Sequence, residues 1–254
     1  MSAAILFTIV AAAWTGVAAA TFVGLFFLNA PYGRHAKTTW GPVVGDTLGW
    51  VLMELPSPLI FATWFALGSH GFAAVPVVFF ALWEAHYVHR SFIYPFLLRS
   101  GRSRRMTLAV ALMGFFFNGV NATLNGWFLF RLAEPRPLAW LLDARFIVGL
   151  ALFVGGYIVN RWSDAILRAL RRPGESVYRI PNGGLYRWVS SPNYLGEIVE
   201  WIGWAVLTWS FAGASFAAWT AANLVPRARA NHLWYRATVP DYPPERKALV
   251  PFVG

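Results

Sequence analysis

Three absences narrow what this chain can be. None of its 254 residues is cysteine, which excludes disulfides, thiolate nucleophiles, cysteine-ligated zinc and iron–sulfur clusters. Only 13% of the residues are charged, against about 25% in an ordinary soluble domain. Acidic residues are scarcer than basic ones: the chain has 11 Asp and Glu against 21 Lys and Arg, which gives it a formal net charge of +10. With 57% hydrophobic residues, this composition excludes a soluble multidomain enzyme and a disordered or fibrous chain.

Familiar binding signatures are absent as well. The chain has no glycine-rich Rossmann or P-loop turn, no nucleophile elbow and no HExxH pair. A nucleotide would therefore have to bind in a site built between helices. The five histidines form no convincing set with carboxylates, so no metal site is predicted. Nucleic acid is not an expected partner, because its binders carry a basic patch on a polar body rather than between long apolar runs.

Long apolar runs dominate what is present. A membrane-spanning helix needs about 20 mostly apolar residues. Such runs occupy residues 3–30, 48–67, 71–98, 108–130, 146–159 and 193–226. The last run is too long for one crossing and is expected to turn at residues 209–213. The first run lacks the basic start of a signal peptide and is expected to be retained as a helix. The sequence therefore predicts an all-α integral membrane protein with seven transmembrane helices in one domain, residues 1–254.

The basic residues predict how these helices are oriented, because Lys and Arg collect on the cytoplasmic side of a membrane protein. Seven crossings place 17 of the 21 Lys and Arg residues on one side, in three loops and the C-terminal tail. The N-terminus is therefore expected outside and the C-terminus in the cytosol. A cysteine-free composition rich in Ala, Gly and Arg is typical of a bacterial protein, which favours an inner membrane over the endoplasmic reticulum.

Two predicted spans contain ionisable groups, which are costly in lipid and usually face a polar interior. Glu54 stands in the second span, two residues before the first of two prolines, Pro56 and Pro58, that break the helix and favour a cavity wall. The alternative is a structural glutamate paired with an arginine. In the third span, Tyr87, Arg90 and Tyr94 share one helical face, which suits a tyrosine proton donor. For Arg90 itself, a side chain reaching to the lipid headgroups is the favoured interpretation.

Polar residues also recur in the second half of the chain. Asn118, Asn121 and Asn125 share a face of the fourth span and are interpreted as contacts between helices. Further along, amides and carboxylates alternate with arginines, a pattern typical of a pocket for a phosphate-bearing ligand. The alternative is arginines that bind anionic lipid headgroups. The residues of this later cluster are Asn160, Asp164, Arg168, Arg171, Arg172, Asn193, Glu197, Glu200, Arg227, His232 and Tyr235.

Several motifs resemble one known family in the same order along the chain. Residues 180–186 (IPNGGLY) and 189–201 (VSSPNYLGEIVEW) are similar to the C-terminal signature of the steroid 5α-reductase family. Residues 241–243 (DYP) and 246–252 (RKALVPF) resemble the end of its members. The upstream matches are residues 32–35 (YGRH), 54–57 (ELPS) and 86–90 (HYVHR).

The resemblance implies a seven-helix membrane enzyme that uses NADPH to reduce the Δ4 double bond of 3-oxo-steroids. It implies that Glu54 and Tyr87 are catalytic and contact the 3-keto oxygen, and that Trp201 and Leu224 line the steroid cavity with them. The cofactor-binding positions that it implies are Tyr32, Tyr94, Arg102 (or Arg99), Asn160, Asp164, Arg171, Tyr178, Arg179, Asn193, Glu197, Arg227, Asn231 and Tyr235. The chain departs from the family pattern at Asn231, Met53, Met113 and Asn223, and these residues bear on substrate preference and one cofactor contact.

The expected partners are a small lipophilic 3-oxo-Δ4-steroid or related enone and membrane lipid, while the sequence predicts no oligomeric state. Two alternatives stay open at this point. One is a membrane methyltransferase of the isoprenylcysteine type, which would use S-adenosylmethionine. The other is a sterol-binding or transport protein without enzymatic activity, which leaves the clustered arginines unexplained.

Overall fold

The computed structural model describes residues 1–28, 41–69, 72–98, 105–170 and 179–253, and these residues are mainly helical, as predicted. Its helices are α1 (Ala3–Phe27), α2 (Asp46–Glu54), α3 (Pro56–Leu67), α4 (Ala74–Val88), α5 (Tyr94–Leu97), α6 (Leu108–Trp127), α7 (Ala144–Ala169), α8 (Pro192–Thr208) and α9 (Phe211–Thr238). Wider π-helical turns, His89–Ile93 and Phe128–Leu132, join α4 to α5 and extend α6. Short 3₁₀ turns precede α7 and α8, at Leu138–Leu142 and Gly184–Arg187.

Several of these helices are suited to a membrane. Within the described ranges, four helical segments are long and apolar enough to cross one. They are Ala3–Phe27, Asp46–Leu67, Leu108–Leu132 and Ala144–Ala169. Large apolar side chains stay exposed along them, including Ile9 and Leu112, each 54% exposed, as expected for surfaces that face lipid. These features support the expectation of a membrane protein.

Two of the predicted helix breaks are present. Leu55 separates α2 from α3, and Pro56 stands at the first position of α3, where its missing amide hydrogen costs nothing. The turn predicted at residues 209–213 begins at Trp209, which has a left-handed backbone (φ 47°) and ends α8. The Ser210 hydroxyl then accepts a hydrogen bond from the Gly213 amide and begins α9.

One element was not predicted from the sequence. Strands β1 (Val43–Gly45) and β2 (Arg105–Thr107) form a short antiparallel pair in which Val44 lies opposite Met106. Each strand runs directly into an apolar helix, β1 into α2 and β2 into α6. The pair therefore fixes the starts of two helices that carry residues of the candidate site.

Glycines bring α7 and α8 unusually close together. A methyl group at Gly156 would collide with the backbone of Gly196 and Glu200, and one at Gly203 would collide with the backbone of Gly149 and Phe153. Small residues of this kind let helix backbones touch, which is typical of packing between membrane helices. The contact brings the polar ends of α7 and α8 side by side.

Aromatic side chains fill the centre of the molecule. Trp83, Trp201 and Trp204 are fully buried between α4, α8 and their neighbours. Tyr87 packs against this cluster, with its ring centroid 4.9 Å from that of Trp83 and 5.7 Å from that of Trp201. The aromatic core therefore holds the Tyr87 ring in place, and the hydroxyl is its one polar group.

Candidate active site

A cavity of about 520 Å³ lies between α1, α2, α4, α6, α8 and α9. This volume is in the range of small-molecule sites, and most of its wall is aromatic and aliphatic. The wall contains all four residues predicted to contact substrate, namely Glu54, Tyr87, Trp201 and Leu224. The family departures Met53, Met113 and Asn223 also line it, together with Arg90, Asn118, Glu197 and Arg227.

Glu54 is buried at the end of α2 and has two side-chain partners. Arg90 Nε donates a hydrogen bond to its Oε1 atom at 3.2 Å, and Asn118 Nδ2 donates to its Oε2 atom at 3.1 Å. A second nitrogen of Arg90, Nη2, lies 3.8 Å from Glu197 Oε2. Arg90 therefore stands between two carboxylates, and the prediction that it reaches to the lipid headgroups is wrong. The charge pair offsets the cost of burying Glu54 and Arg90.

Asn118 connects Glu54 to Tyr87. Its Oδ1 atom accepts hydrogen bonds from the Ser57 hydroxyl at 3.1 Å and from the Tyr87 hydroxyl at 3.5 Å. Its Nδ2 atom donates to Glu54 and, at 2.8 Å, to the Met53 carbonyl. The amide thus uses all four of its hydrogen-bonding positions, and the Met53 carbonyl fixes which way it points. Glu54 reaches Tyr87 through this amide.

The other two asparagines of α6 behave as predicted. Asn121 Oδ1 accepts from the Trp14 indole at 3.2 Å, and Asn125 Oδ1 accepts from the Trp204 indole at 2.9 Å. Both link α6 to another helix. Asn118 was assigned the same role from the sequence, and that interpretation missed its contact with the catalytic candidates. Spacing along α6 places the three on one face but does not say what each of them meets.

Four of the predicted cofactor residues form a single polar cluster where α7 meets α8. Asn160 Nδ2 donates to the Asn193 carbonyl at 3.0 Å and to Glu197 Oε2 at 3.4 Å. Asn193 Nδ2 in turn donates to Asp164 Oδ1 at 3.0 Å. The close packing of α7 on α8 explains this cluster, because it brings residues 29 to 37 positions apart into hydrogen-bond contact.

The remaining described candidates are distributed around that cluster. Arg227 on α9 donates to the Tyr194 hydroxyl at 3.1 Å and faces the cavity. The Arg90 guanidinium carbon, Cζ, lies over the Tyr94 ring, 5.3 Å from the ring centroid. Tyr235 is buried and stacks on Tyr242, while Arg179 is exposed and Asn231 half-buried on α9. Outside the described residues lie Tyr32, Arg99, Arg102, Arg171 and Tyr178.

The C-terminal segment is tied to the loop before α8. Arg246, which is buried, donates to the Pro181 carbonyl at 2.9 Å and to Asn182 Oδ1 at 2.6 Å. Lys247 exchanges backbone hydrogen bonds with Trp188 and Ser190. The two C-terminal sequence motifs, far apart along the chain, are therefore one structural unit beside the polar cluster.

The described residues fit a cofactor that carries phosphates and amides. Arg168 Nη1 is buried and has no hydrogen-bond partner among them, so it is a donor available to a phosphate oxygen. Carboxylates and amides of the α7–α8 cluster suit the hydroxyl and amide groups of a nucleotide. In the part of the chain that the structure describes, no group of three or more His, Asp and Glu residues could hold a metal ion.

One buried pair was missed at the sequence level. His86 Nδ1 lies 2.6 Å from Glu200 Oε1, and both side chains are inaccessible to solvent or nearly so. The residues are 114 positions apart, so no local pattern connects them. The signal that was available is a histidine next to Tyr87 in the third apolar run.

Comparison with known proteins agrees with these features. The sequence model of the family described as 3-oxo-5-alpha-steroid 4-dehydrogenase matches residues 104–254. Steroid 5-alpha-reductase DET2 of Gossypium hirsutum is 40% identical over 240 residues, which cover 93% of each chain. The protein of that name from Arabidopsis thaliana is 39% identical, over 92% of this chain and 91% of its own.

An animal relative is equally similar. The protein named 3-oxo-5-alpha-steroid 4-dehydrogenase 1 of Homo sapiens is 39% identical over 227 residues, which cover 89% of this chain and 86% of its own. Both the family model and these relatives agree with the resemblance in the motifs and with a reductase rather than a methyltransferase or a transporter. The chain belongs to the steroid 5α-reductase (3-oxo-5-alpha-steroid 4-dehydrogenase) family of oxidoreductases.

Proposed function

We propose that this protein is a membrane-embedded, NADPH-dependent reductase of the Δ4 double bond of 3-oxo-steroids or related enones. One observation carries the proposal: Tyr87, Asn118 and Glu54 form a hydrogen-bonded chain at the wall of a largely apolar cavity of about 520 Å³. Membership of the family supports it. A steroid is a rigid apolar ring system with a polar carbonyl at one end, which matches an apolar cavity with one polar wall.

Tyr87 is proposed as the group that binds the 3-keto oxygen. The cofactor supplies a hydride to C5 when it is bound. As C5 is reduced, negative charge develops on the carbonyl oxygen, and a hydrogen-bond donor positioned there stabilises the charge as it forms. The present contact of the Tyr87 hydroxyl with Asn118 is long, 3.5 Å, so the hydroxyl can exchange it for the substrate oxygen at little cost.

Glu54 is proposed to act on Tyr87 through Asn118. Its Oε2 atom holds the Asn118 nitrogen, and this leaves the amide oxygen directed at the Tyr87 hydroxyl. Arg90 holds Glu54 in place, because a guanidinium at 3.2 Å compensates a buried carboxylate. Glu54 is therefore the anchor of the polar wall. Its negative charge is balanced before a substrate carbonyl arrives.

The cofactor is proposed to bind on the side of the cavity where α7, α8 and α9 carry their polar residues. Arg227 and Glu197 belong to both the cavity wall and this polar region, which supports a cofactor site that opens into the substrate site. Guanidinium groups would bind the phosphates, including the 2′-phosphate that distinguishes NADPH from NADH. The proposed contacts are Tyr32, Tyr94, Arg102, Asn160, Asp164, Arg171, Tyr178, Arg179, Asn193, Glu197, Arg227, Asn231 and Tyr235.

We propose seven crossings of the membrane, with the N-terminus outside and the C-terminus in the cytosol. Four helical segments in the described residues are apolar enough to span by themselves, and the continuous segment α4–α5 together with α8 and α9 would supply the other three. The concentration of basic residues on one side supports this orientation. It places the proposed cofactor residues at the cytosolic face. Composition alone favours a bacterial inner membrane.

The test is a product assay on membranes that contain the protein. Testosterone or progesterone is supplied with NADPH, and mass spectrometry measures the saturated 3-oxo product. We expect turnover by the wild type and a loss of about 10²-fold or more in kcat for Tyr87→Phe, because general acids contribute about 10²–10⁴-fold. The matched control is Tyr157→Phe, a tyrosine of α7 outside the cavity wall, which should retain activity. Full activity of Tyr87→Phe would refute the assignment.

A further inference from the structure

A second polar pair reaches the cavity wall beside Tyr87. Glu200 on α8 is fully buried, and its Oε1 atom lies 2.6 Å from His86 Nδ1. Its other oxygen, Oε2, is buried and has no hydrogen-bond partner among the described residues. Burying an uncompensated carboxylate costs several kcal/mol, so Glu200 and His86 must share a proton that makes the pair neutral overall. The structure therefore maintains a proton in the interior, beside Tyr87.

The imidazole of this pair also belongs to the cavity wall. His86 lines the cavity wall, whereas Glu200 does not. Its ring is held edge-on between Tyr87 and Trp201, with centroid separations of 4.8 Å to each. Since Nδ1 is engaged by Glu200, Nε2 is the nitrogen left for a ligand. A carboxylate behind a histidine fixes the tautomer and the ring orientation in this way.

The proposed reaction needs a second acid at that position. Once C5 is reduced, the negative charge is shared between the C3 oxygen and C4, and C4 must take a proton to complete the product. C4 is bonded to the carbonyl carbon, so its proton donor must stand close to the group that holds the carbonyl oxygen. In the proposed mechanism that group is Tyr87, and His86 is its immediate neighbour in the chain and on the wall.

The other polar groups of this wall are poorly suited to the step. Arg90 and Arg227 do not release protons at any relevant pH. The Asn118 amide is not an acid. Both oxygens of Glu54 already accept hydrogen bonds, from Arg90 and from Asn118, and Glu197 is directed at Asn160 and Arg90. His86 is the remaining titratable group next to Tyr87 in the described lining.

We propose that His86, held by Glu200, is a second catalytic acid that delivers the C4 proton to the face of the substrate that it meets. This inference rests on the proposed function. In the step, the electron pair of the enolate forms the new C4–H bond and the His86 Nε2–H bond breaks. The proton between Nδ1 and Glu200 stays with the pair, which takes up the negative charge that leaves the substrate. A proton from water then restores the neutral pair.

The stereochemistry of protonation tests this proposal. In D₂O the exchangeable protons of His86 and Glu200 become deuterons, so the wild type should place deuterium on a single face of C4, as read by NMR of the product. His86→Asn keeps an amide near the position of Nδ1, facing Glu200, and removes Nε2. We expect it to lower kcat by about 10²-fold, to distribute deuterium over both faces of C4, and to leave the Kd for NADPH unchanged.

The control is His89→Asn, because His89 is the next histidine of the same helical run and does not line the cavity. It should retain single-face labelling. The proposal is overturned if His86→Asn keeps wild-type kcat, or if its kcat falls while deuterium stays on one face, which is the result of a merely structural role. If His86→Asn does not fold, Glu200→Gln decides. It should lower kcat about 10-fold with an unchanged substrate KM, and an unchanged kcat would contradict the proposal. A wild type that reduces no enone would instead refute the proposed function.

Discussion

A substitution at Asn118 distinguishes the link between Glu54 and Tyr87 from the packing of the surrounding helices. Replacing it with leucine keeps the branched shape of the side chain and removes all four of its hydrogen bonds. Glu54 Oε2 loses its amide donor and the Met53 carbonyl is left unpaired in a buried place. A hydrogen bond to a charged group contributes about 1.5–3 kcal/mol and a neutral one about 1 kcal/mol. With one bond to a charged group and three neutral bonds removed, the expected loss of unfolding free energy is about 5 kcal/mol.

The activity should fall further than the stability alone would explain. Without the Asn118 oxygen, the Tyr87 hydroxyl has lost the acceptor that directs it, and Glu54 no longer acts on it. We expect kcat to drop by about 10- to 100-fold for the folded fraction, a part of what a general acid contributes. NADPH affinity should be unchanged, since none of the four hydrogen bonds of Asn118 goes to a residue of the α7–α8 cluster. Steady-state kinetics in detergent and thermal unfolding of the same preparation give both numbers.

The matched control is Asn121→Leu, on the same face of the same helix and equally buried. It removes the bond from Trp14 and a bond to the Phe117 carbonyl, at a cost of about 1–2 kcal/mol. It should leave kcat within about 2-fold of the wild type. Wild-type kcat in Asn118→Leu, or an equal loss of kcat in Asn121→Leu, would refute the assignment of Asn118 as the link between Glu54 and Tyr87.

Two further predictions concern the polar region where the cofactor is proposed to bind. Gly156→Ala would force α7 away from the α8 backbone, so it should unfold the protein or raise the Kd for NADPH at least about 10-fold. Gly155→Ala, which has open space around it, should do neither. A fluorescence titration with NADPH and a thermal melt compare the two variants, and identical behaviour would contradict the packing argument. Arg246→Gln removes two bonds to the loop at Pro181 and Asn182, so we expect about 10-fold weaker NADPH binding with little change in kcat at saturation, and an unchanged Kd would show that the tail does not support the cofactor site.

Much of the helical architecture was predictable because it depends on patterns of residues that are close together in the sequence. The apolar runs predicted the long helices, and the prolines after Glu54 predicted the break between α2 and α3. The turn at Trp209 was expected because one run exceeded the length of a single crossing. Each of these signals depends on residues within about 20 positions of one another. Pairing of β1 with β2 is not local, and it was missed.

The sequence named candidate residues that the structure brings to one cavity, but it did not indicate how they are connected. The motifs supplied Glu54 and Tyr87 as a pair, yet the structure places Asn118 between them. Helical spacing indicates which residues share a face, and it does not indicate which neighbouring helix that face meets. Arg90 was assigned to the headgroups for this reason, and the buried contact of His86 with a glutamate on α8 was not foreseen.

The central claim is that this chain transfers hydride from NADPH to C5 of a 3-oxo-Δ4-steroid in the apolar cavity. The most direct measurement supplies purified protein with testosterone and NADPH that carries deuterium at its transferable position. We expect a saturated 3-oxo product in which that deuterium is bonded to C5, and we expect Tyr87→Phe to lose this product. A product without the label at C5, or no reduction of any 3-oxo-Δ4-steroid by folded, NADPH-binding protein, would contradict it.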